Sequence, residues 1–288
     1  MIFLSVFLSL VEPSINTLLA LLKNASVMFV VMAFFIAWVV CWLPLAAISA
    51  FKLNLQINKP LQPEQKIPLL VSLYLLAPLI LWGMNWLGLG SFADYGLVGN
   101  ISILGSLLLG LALGVLGIAV LFLCQFWLGW CYVEQSKLKL IPGILLPISL
   151  VALFVGGIEE LVFRGFLLTT LEKDYSIWLA AIISSLIFAL LHLVWEQQET
   201  APQLPGLWLM AMVLVVARLV DGNHLGIAWG LHAGWVWAIA TIDTGELITY
   251  TGKVSEWVTG KNKKPLAGLA GVVCVCLTGV ILWCFFGL

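Results

Sequence analysis

Charged side chains are scarce in this sequence of 288 residues: 9% are Asp, Glu, Lys or Arg, whereas 62% are hydrophobic. A soluble globular domain carries roughly 25% charged residues. The apolar residues here form runs long enough to cross a bilayer, which takes about 20 residues per helix. The scarcity of charge therefore excludes an ordinary soluble domain and predicts an all-α, polytopic integral membrane protein.

Other features are missing as well. The formal net charge is −1, and no stripe of Lys and Arg predicts nucleic-acid binding. None of the six cysteines forms a CxxC pair, so neither a zinc ribbon nor a disulfide framework is predicted. Neither a GxGxxG nor a P-loop motif occurs, so no nucleotide cofactor is predicted. Because no repeat or linker is visible, we expect a single membrane domain over residues 1–288.

The first 25 residues are apolar but are interrupted by Glu12 and Pro13. The first basic residue is Lys23, so the segment lacks the positively charged start of a secretory signal. We expect residues 1–25 to form a peripheral or membrane-associated N-terminal segment that is not cleaved.

Hydropathy predicts about eight transmembrane helices. Their expected positions are about 26–51, 67–92, 99–129, 141–171, 176–195, 206–221, 224–242 and 266–287.

The loop lysines are distributed unevenly between the two membrane faces that these eight helices predict. The face with the odd-to-even loops receives nine cations, whereas the other receives only Lys23, Lys173 and Arg218. The nine are Lys52, Lys59, Lys66, Lys137, Lys139, Lys253, Lys261, Lys263 and Lys264. The positive-inside rule then predicts cytoplasmic odd-to-even loops and both termini outside.

Three charged residues lie close together inside the fourth apolar segment. Glu159, Glu160 and Arg164 occur in the run GGIEELVFRGFLLTTL. A charge in hydrocarbon costs at least a few kcal/mol, so such residues normally face a partner or a watery cavity. Glu160 and Arg164 are four residues apart, which places them on one helix face where they can pair.

All three histidines lie in or beside the later spans. At 1.5 Å per residue, His192 in the fifth segment and His232 in the seventh reach a depth similar to that of the glutamates. We therefore expect two carboxylates, two imidazoles and a guanidinium to share a polar site between the helices of the second half. His224, beside Asp221 and Arg218, is interpreted as an interface residue.

Such a group could carry out hydrolysis. A carboxylate in an apolar site becomes a usable general base near neutral pH, and imidazoles could orient water or stabilise an oxyanion. Spacing leaves open which glutamate is the base. It also leaves open a purely structural role in helix packing, and a proton path in a transporter. A transporter should show broken helices in both halves, whereas these polar residues crowd into one.

Three motifs occur in order along these helices: EExxxR at Glu159 to Arg164, FxxxH at Phe188 to His192, and His232-Ala-Gly-Trp. Together they resemble the CPBP family, which comprises CAAX proteases and bacteriocin-processing, abortive-infection (Abi) proteins. The resemblance covers about residues 140–245 and implies an intramembrane endopeptidase. It implies that Glu159 or Glu160 activates water with His192 and that His232 supports the oxyanion. From its spacing to Glu160, Arg164 is expected to organise the carboxylates.

The resemblance also implies which partners to expect, and it raises the question of whether a metal ion is bound. The expected partners are membrane lipid and a membrane-associated or lipid-modified peptide or protein substrate. Members are often labelled metalloproteases, and two carboxylates with two imidazoles could in principle hold a divalent metal such as zinc, although no HExxH occurs. The candidate ligands are Glu159, Glu160, His192 and His232.

One position departs from the family pattern. Four residues after His232 lies Val236, where CAAX proteases carry an asparagine. Loss of one oxyanion donor costs about a hundred- to a thousandfold in comparable sites. The valine weakens the prediction of CAAX cleavage more than that of hydrolysis, and it keeps open a non-proteolytic membrane scaffold.

Overall fold

The structure, a computed structural model, describes residues 20, 22–55, 62–194 and 197–287. Most of the N-terminal segment expected at residues 1–25 therefore lies outside the described residues. The chain divides into two compact units, Met1–Asp94 and Tyr95–Leu288. The expectation of a single domain stays a prediction.

The first unit contains helices α1 (Val27–Lys52) and α2 (Pro63–Trp86). Indole groups of α1 bond to α2. The Trp38 N–H donates to the Leu73 carbonyl at 2.7 Å, and the Trp42 N–H donates to the Ser72 hydroxyl at 3.1 Å. These bonds satisfy polar N–H groups that would otherwise face hydrocarbon.

The second unit contains six longer helices and two short strands. In chain order they are α3 (Ser102–Trp127), β1 (Cys131–Val133), α4 (Ile141–Glu160), α5 (Ile177–Leu191), α6 (Leu204–Val220), α7 (Gly226–Thr244), β2 (Ile248–Tyr250) and α8 (Leu269–Phe286). Helix α4 continues as a π-helical segment, Leu161–Leu167, and a last α-turn, Leu168–Leu171. Short helical segments of one or two turns lie in the connections: Gln135–Leu140, His192–Val194, Gln197–Thr200, Ala201–Gln203, Glu256–Thr259, Lys261–Lys263 and Pro265–Ala267.

Seven helical segments in the described part of the chain are long and apolar enough to cross a membrane. Helix α7 is an eighth long helix that does not reach that hydropathy, and it carries His232. Many outward side chains are large and apolar, such as Ile36 and Leu79, which are 62% and 58% exposed. The predicted all-α, polytopic integral membrane fold is confirmed.

The two strands bring together the loops that follow α3 and α7. Strand β1 pairs antiparallel with β2, with Cys131 opposite Tyr250. Burial at this sheet raises the pKa of the Tyr250 hydroxyl to about 12. These two loops therefore lie at the same end of the second unit, as the lysine distribution predicts, whereas their cytoplasmic orientation stays a prediction.

Helices α3 and α7 approach each other through glycines. A Cβ at Gly110 would lie 2.2 Å from the Ile227 carbonyl oxygen, and a Cβ at Gly230 would lie 2.0 Å from the Leu107 carbonyl oxygen. Gly114 and Gly234 repeat this contact one turn further along. Small residues four apart let membrane helices pack backbone to backbone. Each helix thus carries a GxxxG contact, and His232 lies between the two glycines of α7.

Candidate active site

Glu160 and Arg164 form a buried ion pair at the junction of α4 and the π-helical segment. Arg164 Nη1 donates to Glu160 Oε1 at 3.0 Å, and Arg164 Nη2 donates to the Ala211 carbonyl of α6 at 3.1 Å. Neither side chain is exposed by more than 1%. Burying two charges is tolerated only when geometry and further hydrogen bonds compensate for the lost hydration. The pair predicted from its spacing is present.

His232 lies between the two glutamates. Its Nδ1 is 2.8 Å from Glu160 Oε1, and its Nε2 is 3.5 Å from Glu159 Oε2. One imidazole therefore contacts both carboxylates, and Arg164 contacts one of them. Two carboxylates thus lie against a guanidinium and an imidazole, and these contacts limit the cost of burying the cluster.

The π-helical segment changes the backbone next to Arg164. The Leu168 N–H bonds to the carbonyls of Phe163 and Gly165, which leaves the Arg164 carbonyl to another donor. Arg218, at the end of α6, supplies that donor through Nη1. π-Helical turns inside α-helices occur mostly at functional sites.

Arg218 makes two further bonds. Its Nη2 donates to the Thr169 hydroxyl at 2.9 Å, and its Nε donates to the Asn223 carbonyl at 3.1 Å. The buried guanidinium thereby joins the π-helical segment to the turn between α6 and α7. Because it holds the backbone of Arg164, it contributes to the placement of the Glu160–Arg164 pair.

His192 reaches the cluster through an aromatic ring. Its Nδ1 is 2.8 Å from the Phe188 carbonyl oxygen, so Nδ1 carries the hydrogen and Nε2 is left as the acceptor in the neutral ring. The Phe188 ring lies 4.5 Å from the His192 ring and 5.9 Å from the His232 ring, between centroids. Arg164 Cζ lies 4.5 Å from the same ring centre. Phe188 therefore contacts both histidines and the guanidinium.

Two tryptophans set the register of α7 against α4. The Trp229 N–H donates to the Leu153 carbonyl at 2.8 Å, and the Trp237 N–H donates to the Leu145 carbonyl at 3.1 Å. These residues flank His232 along α7. Together with the glycine contacts to α3, they fix the height and rotation at which His232 meets the glutamates.

The structure brings Glu159, Glu160, Arg164 and His232 into direct contact, and His192 joins them through Phe188. The catalytic roles predicted for these residues stay predictions. Both ring nitrogens of His232 face carboxylates, so the expected contact with an oxyanion would require His232 to turn away from one of them.

Several supporting contacts were not predicted from the sequence. The pairing of Arg218 with the Arg164 backbone has no signature in residue spacing. The GxxxG patterns that begin at Gly110 and Gly230 are visible in the sequence and could have predicted close helix packing. The indole bonds of Trp229 and Trp237 depend on how α4 and α7 are rotated toward each other, which spacing along either helix does not give.

The predicted metal ligands bond mainly to one another. Among the described residues, no group of three or more His, Cys, Asp and Glu side chains is placed to hold a metal ion. Glu160 Oε1 already takes bonds from Arg164 and His232. The arrangement as it stands does not fit a metal site, and metal use stays a prediction.

Comparison with known proteins adds to this geometry. Residues 141–238 match the model of the family described as type II CAAX prenyl endopeptidase Rce1-like. The predicted CPBP resemblance is confirmed. This Rce1-like segment runs from the start of α4 into α7 and contains all five predicted site residues. It covers about a third of the chain.

A curated relative from Escherichia coli, described as an uncharacterized 24.3 kDa protein, is 32% identical over 89 residues. The match covers 30% of this chain and 40% of the relative, which is less than half of the relative's length. No solved structure matches the chain. The Rce1-like segment therefore supports a membrane protease fold, and the activity of the whole chain is a proposal.

Proposed function

We propose that the protein is an intramembrane endopeptidase that hydrolyses a peptide bond of a membrane-associated or lipid-modified peptide. The observation that carries this proposal is that two adjacent buried glutamates differ in their exposure and in their contacts. Glu160 is fully buried and holds Arg164 and His232, whereas Glu159 is 7% exposed and approaches His232 only at 3.5 Å. The match of residues 141–238 to the Rce1-like family supports the same activity.

In this proposal Glu159 is the general base. Its carboxylate takes a proton from water, and the resulting hydroxide attacks the carbonyl carbon of the substrate. The proton then passes to the amine that leaves when the C–N bond breaks. A positioned carboxylate can carry out such a proton transfer as a general base.

His192 assists by orienting the water. Its Nδ1–H is held by the Phe188 carbonyl, so its Nε2 can accept a hydrogen bond from the water. His192 is half-buried and so more accessible than His232. Glu160, Arg164 and Arg218 act on the reaction by holding His232 and the helix that carries Glu159.

A non-proteolytic membrane scaffold is the second candidate. It is favoured by Val236, which lies one turn after His232 and offers no hydrogen-bond donor, and by the mutual pairing of His232 with both glutamates. In that case the cluster would serve to fix α4, α6 and α7 against one another. A scaffold should keep its function in Glu159→Gln, whereas a protease should not.

Cleavage by the purified full-length protein in liposomes tests the proposal. The probes are fluorogenic membrane peptides, prenylated and unprenylated, assayed with and without a metal chelator. We expect wild type to cleave, Glu159→Gln and His192→Ala to lose activity by at least about a hundredfold, and Glu256→Gln, an exposed loop control, to match wild type. Folded wild type that cleaves no peptide, or Glu159→Gln that cleaves like wild type, contradicts the proposal.

A further inference from the structure

A groove of about 400 Å³ runs between α3 and α8. Its lining is almost entirely apolar and includes Leu116, Val120, Val273 and Leu277. These four side chains are between 45% and 59% exposed, so the groove is open toward the membrane. Concave sites of this size, apolar with a few polar groups, are typical of small-molecule binding.

One polar side chain is buried in this groove. Gln125 is only 1% exposed, and neither its Nε2 nor its Oε1 has a hydrogen-bond partner among the described residues. A buried amide without hydrogen-bond partners costs free energy. The geometry therefore points to a ligand that brings polar atoms to Gln125.

A second unpaired group borders the groove. The Trp235 indole N–H is buried without a partner in the part of the chain that the structure describes. It lies 3.9 Å from where a Cβ would be at Gly117, which lines the groove. One unsatisfied polar side chain, Gln125, thus lines the groove, and a second, Trp235, lies beside it.

The groove is long enough for an extended hydrocarbon chain. From Leu113 to Leu128 it extends about 22 Å along α3 at 1.5 Å per residue. An extended hydrocarbon chain about 4 Å across needs roughly 280 Å³ over that length. The groove of about 400 Å³ therefore accommodates one lipid chain.

The position of Gln125 indicates which part of the lipid it meets. It lies two residues before the end of α3, about 3 Å along the helix axis. Trp130 lines the same end of the groove, and tryptophans favour the membrane–water interface. At this level the ester carbonyls of a glycerolipid meet its acyl chains.

We propose that the groove between α3 and α8 binds one acyl chain of a membrane glycerophospholipid, with the Gln125 amide hydrogen-bonded to the ester and headgroup region. Nε2 donates to an ester carbonyl, and Oε1 accepts from a headgroup donor such as the ammonium of phosphatidylethanolamine. This site is separate from the glutamate–histidine cluster and does not depend on the proposed protease activity.

Native mass spectrometry of the full-length protein tests this site. The protein would be reconstituted with palmitoyl-oleoyl phosphatidylethanolamine and phosphatidylglycerol and then released into detergent. Leu277→Trp fills the groove, whereas Val280→Trp adds the same side chain on α8 outside the groove, from a similarly exposed position. We expect wild type and Val280→Trp to retain one phospholipid and Leu277→Trp to lose at least about tenfold in occupancy.

Gln125→Leu removes the amide with little change of side-chain volume. This variant tests lipid binding in the groove even if Leu277→Trp fails to fold. We expect the lipid occupancy of Gln125→Leu to fall at least about fivefold, because both hydrogen bonds of the amide to the lipid are lost, with an unchanged circular dichroism spectrum. Equal lipid retention by folded Leu277→Trp and Val280→Trp overturns the proposal. So does undiminished retention by Gln125→Leu, or a second protein chain as the retained species.

Discussion

The guanidinium of Arg218 donates a hydrogen bond to the main-chain carbonyl oxygen of Arg164. One buried arginine thus holds the backbone from which the other reaches Glu160. The carbonyl is available because the π-helical segment directs the Leu168 N–H to other acceptors. The link joins the last turn of α6 to the helix that carries the glutamates.

Arg218→Lys tests this link while keeping the positive charge. A lysine cannot bond in the three directions that the planar guanidinium reaches. We expect loss of two charge-assisted bonds to lower the free energy of unfolding by about 3 kcal/mol and the thermal midpoint by about 6 °C. Thr169→Val removes only one acceptor of Arg218 and should cost about half as much. Equal thermal midpoints for the two variants would contradict the assigned role.

We expect Glu159→Gln to lower mainly the cleavage activity and Glu160→Gln to lower mainly the thermal stability. Glu160→Gln leaves Arg164 buried without its counter-charge, and breaking a buried pair in this way costs about 3–5 kcal/mol. We therefore expect a large drop in thermal stability for Glu160→Gln. Glu159→Gln should lose cleavage activity yet unfold within a few degrees of wild type. Thermal unfolding in detergent, measured beside the cleavage assay, checks both, and the reverse pattern would exchange the two roles.

His192→Asn separates packing from chemistry. The asparagine amide can donate to the Phe188 carbonyl as Nδ1 does, but it has no group at the position of Nε2. We expect near-normal thermal stability and a fall in turnover of about 10²- to 10⁴-fold, as for loss of an acid–base group. Activity within a few fold of wild type would remove His192 from the proposed mechanism.

CAAX proteases, which this chain resembles, carry an asparagine one turn after the second histidine, where this chain has Val236. Val236→Asn introduces that asparagine. Residues four apart share a helix face, so the new amide would lie on the side of His232. Since one oxyanion donor is worth about a hundred- to a thousandfold in comparable sites, we expect turnover to rise at least about tenfold. Val236→Leu controls for side-chain volume and should show no gain. Equal turnover of the asparagine and leucine variants would mean that this position does not contact the oxyanion.

Gly110→Ala tests the contact between α3 and α7. Its added methyl group would meet the Ile227 carbonyl oxygen at 2.2 Å, so the helices must move apart and displace His232. We expect lower thermal stability and lower cleavage activity. Gly105→Ala is the matched control on the same helix, because no atom of a neighbouring helix lies within 4 Å of its Cβ position in the described part of the chain. Equal thermal midpoints and activities for the two alanine variants would show that the close approach is not needed.

The sequence by itself determined the fold class and the composition of the site. Hydropathy predicts the helices because a membrane imposes a minimum length of apolar chain on each span. The observed bounds of α1 and of Ile141–Leu171, which α4 and its π-helical continuation cover, lie close to those predicted. Glu159, Glu160, Arg164, His192 and His232 were recognisable because charge and imidazole are expensive in hydrocarbon.

Only the tertiary structure decided how those residues meet. Spacing fixes which residues share a face of one helix, but not how neighbouring helices are rotated or shifted along their axes. That register comes from long-range contacts: Gly110 against Ile227, and Trp229 against the Leu153 carbonyl. It places His232 between the two glutamates and Arg218 against the Arg164 backbone. The same packing leaves Gln125 unpaired in a groove between α3 and α8, two helices far apart in the chain.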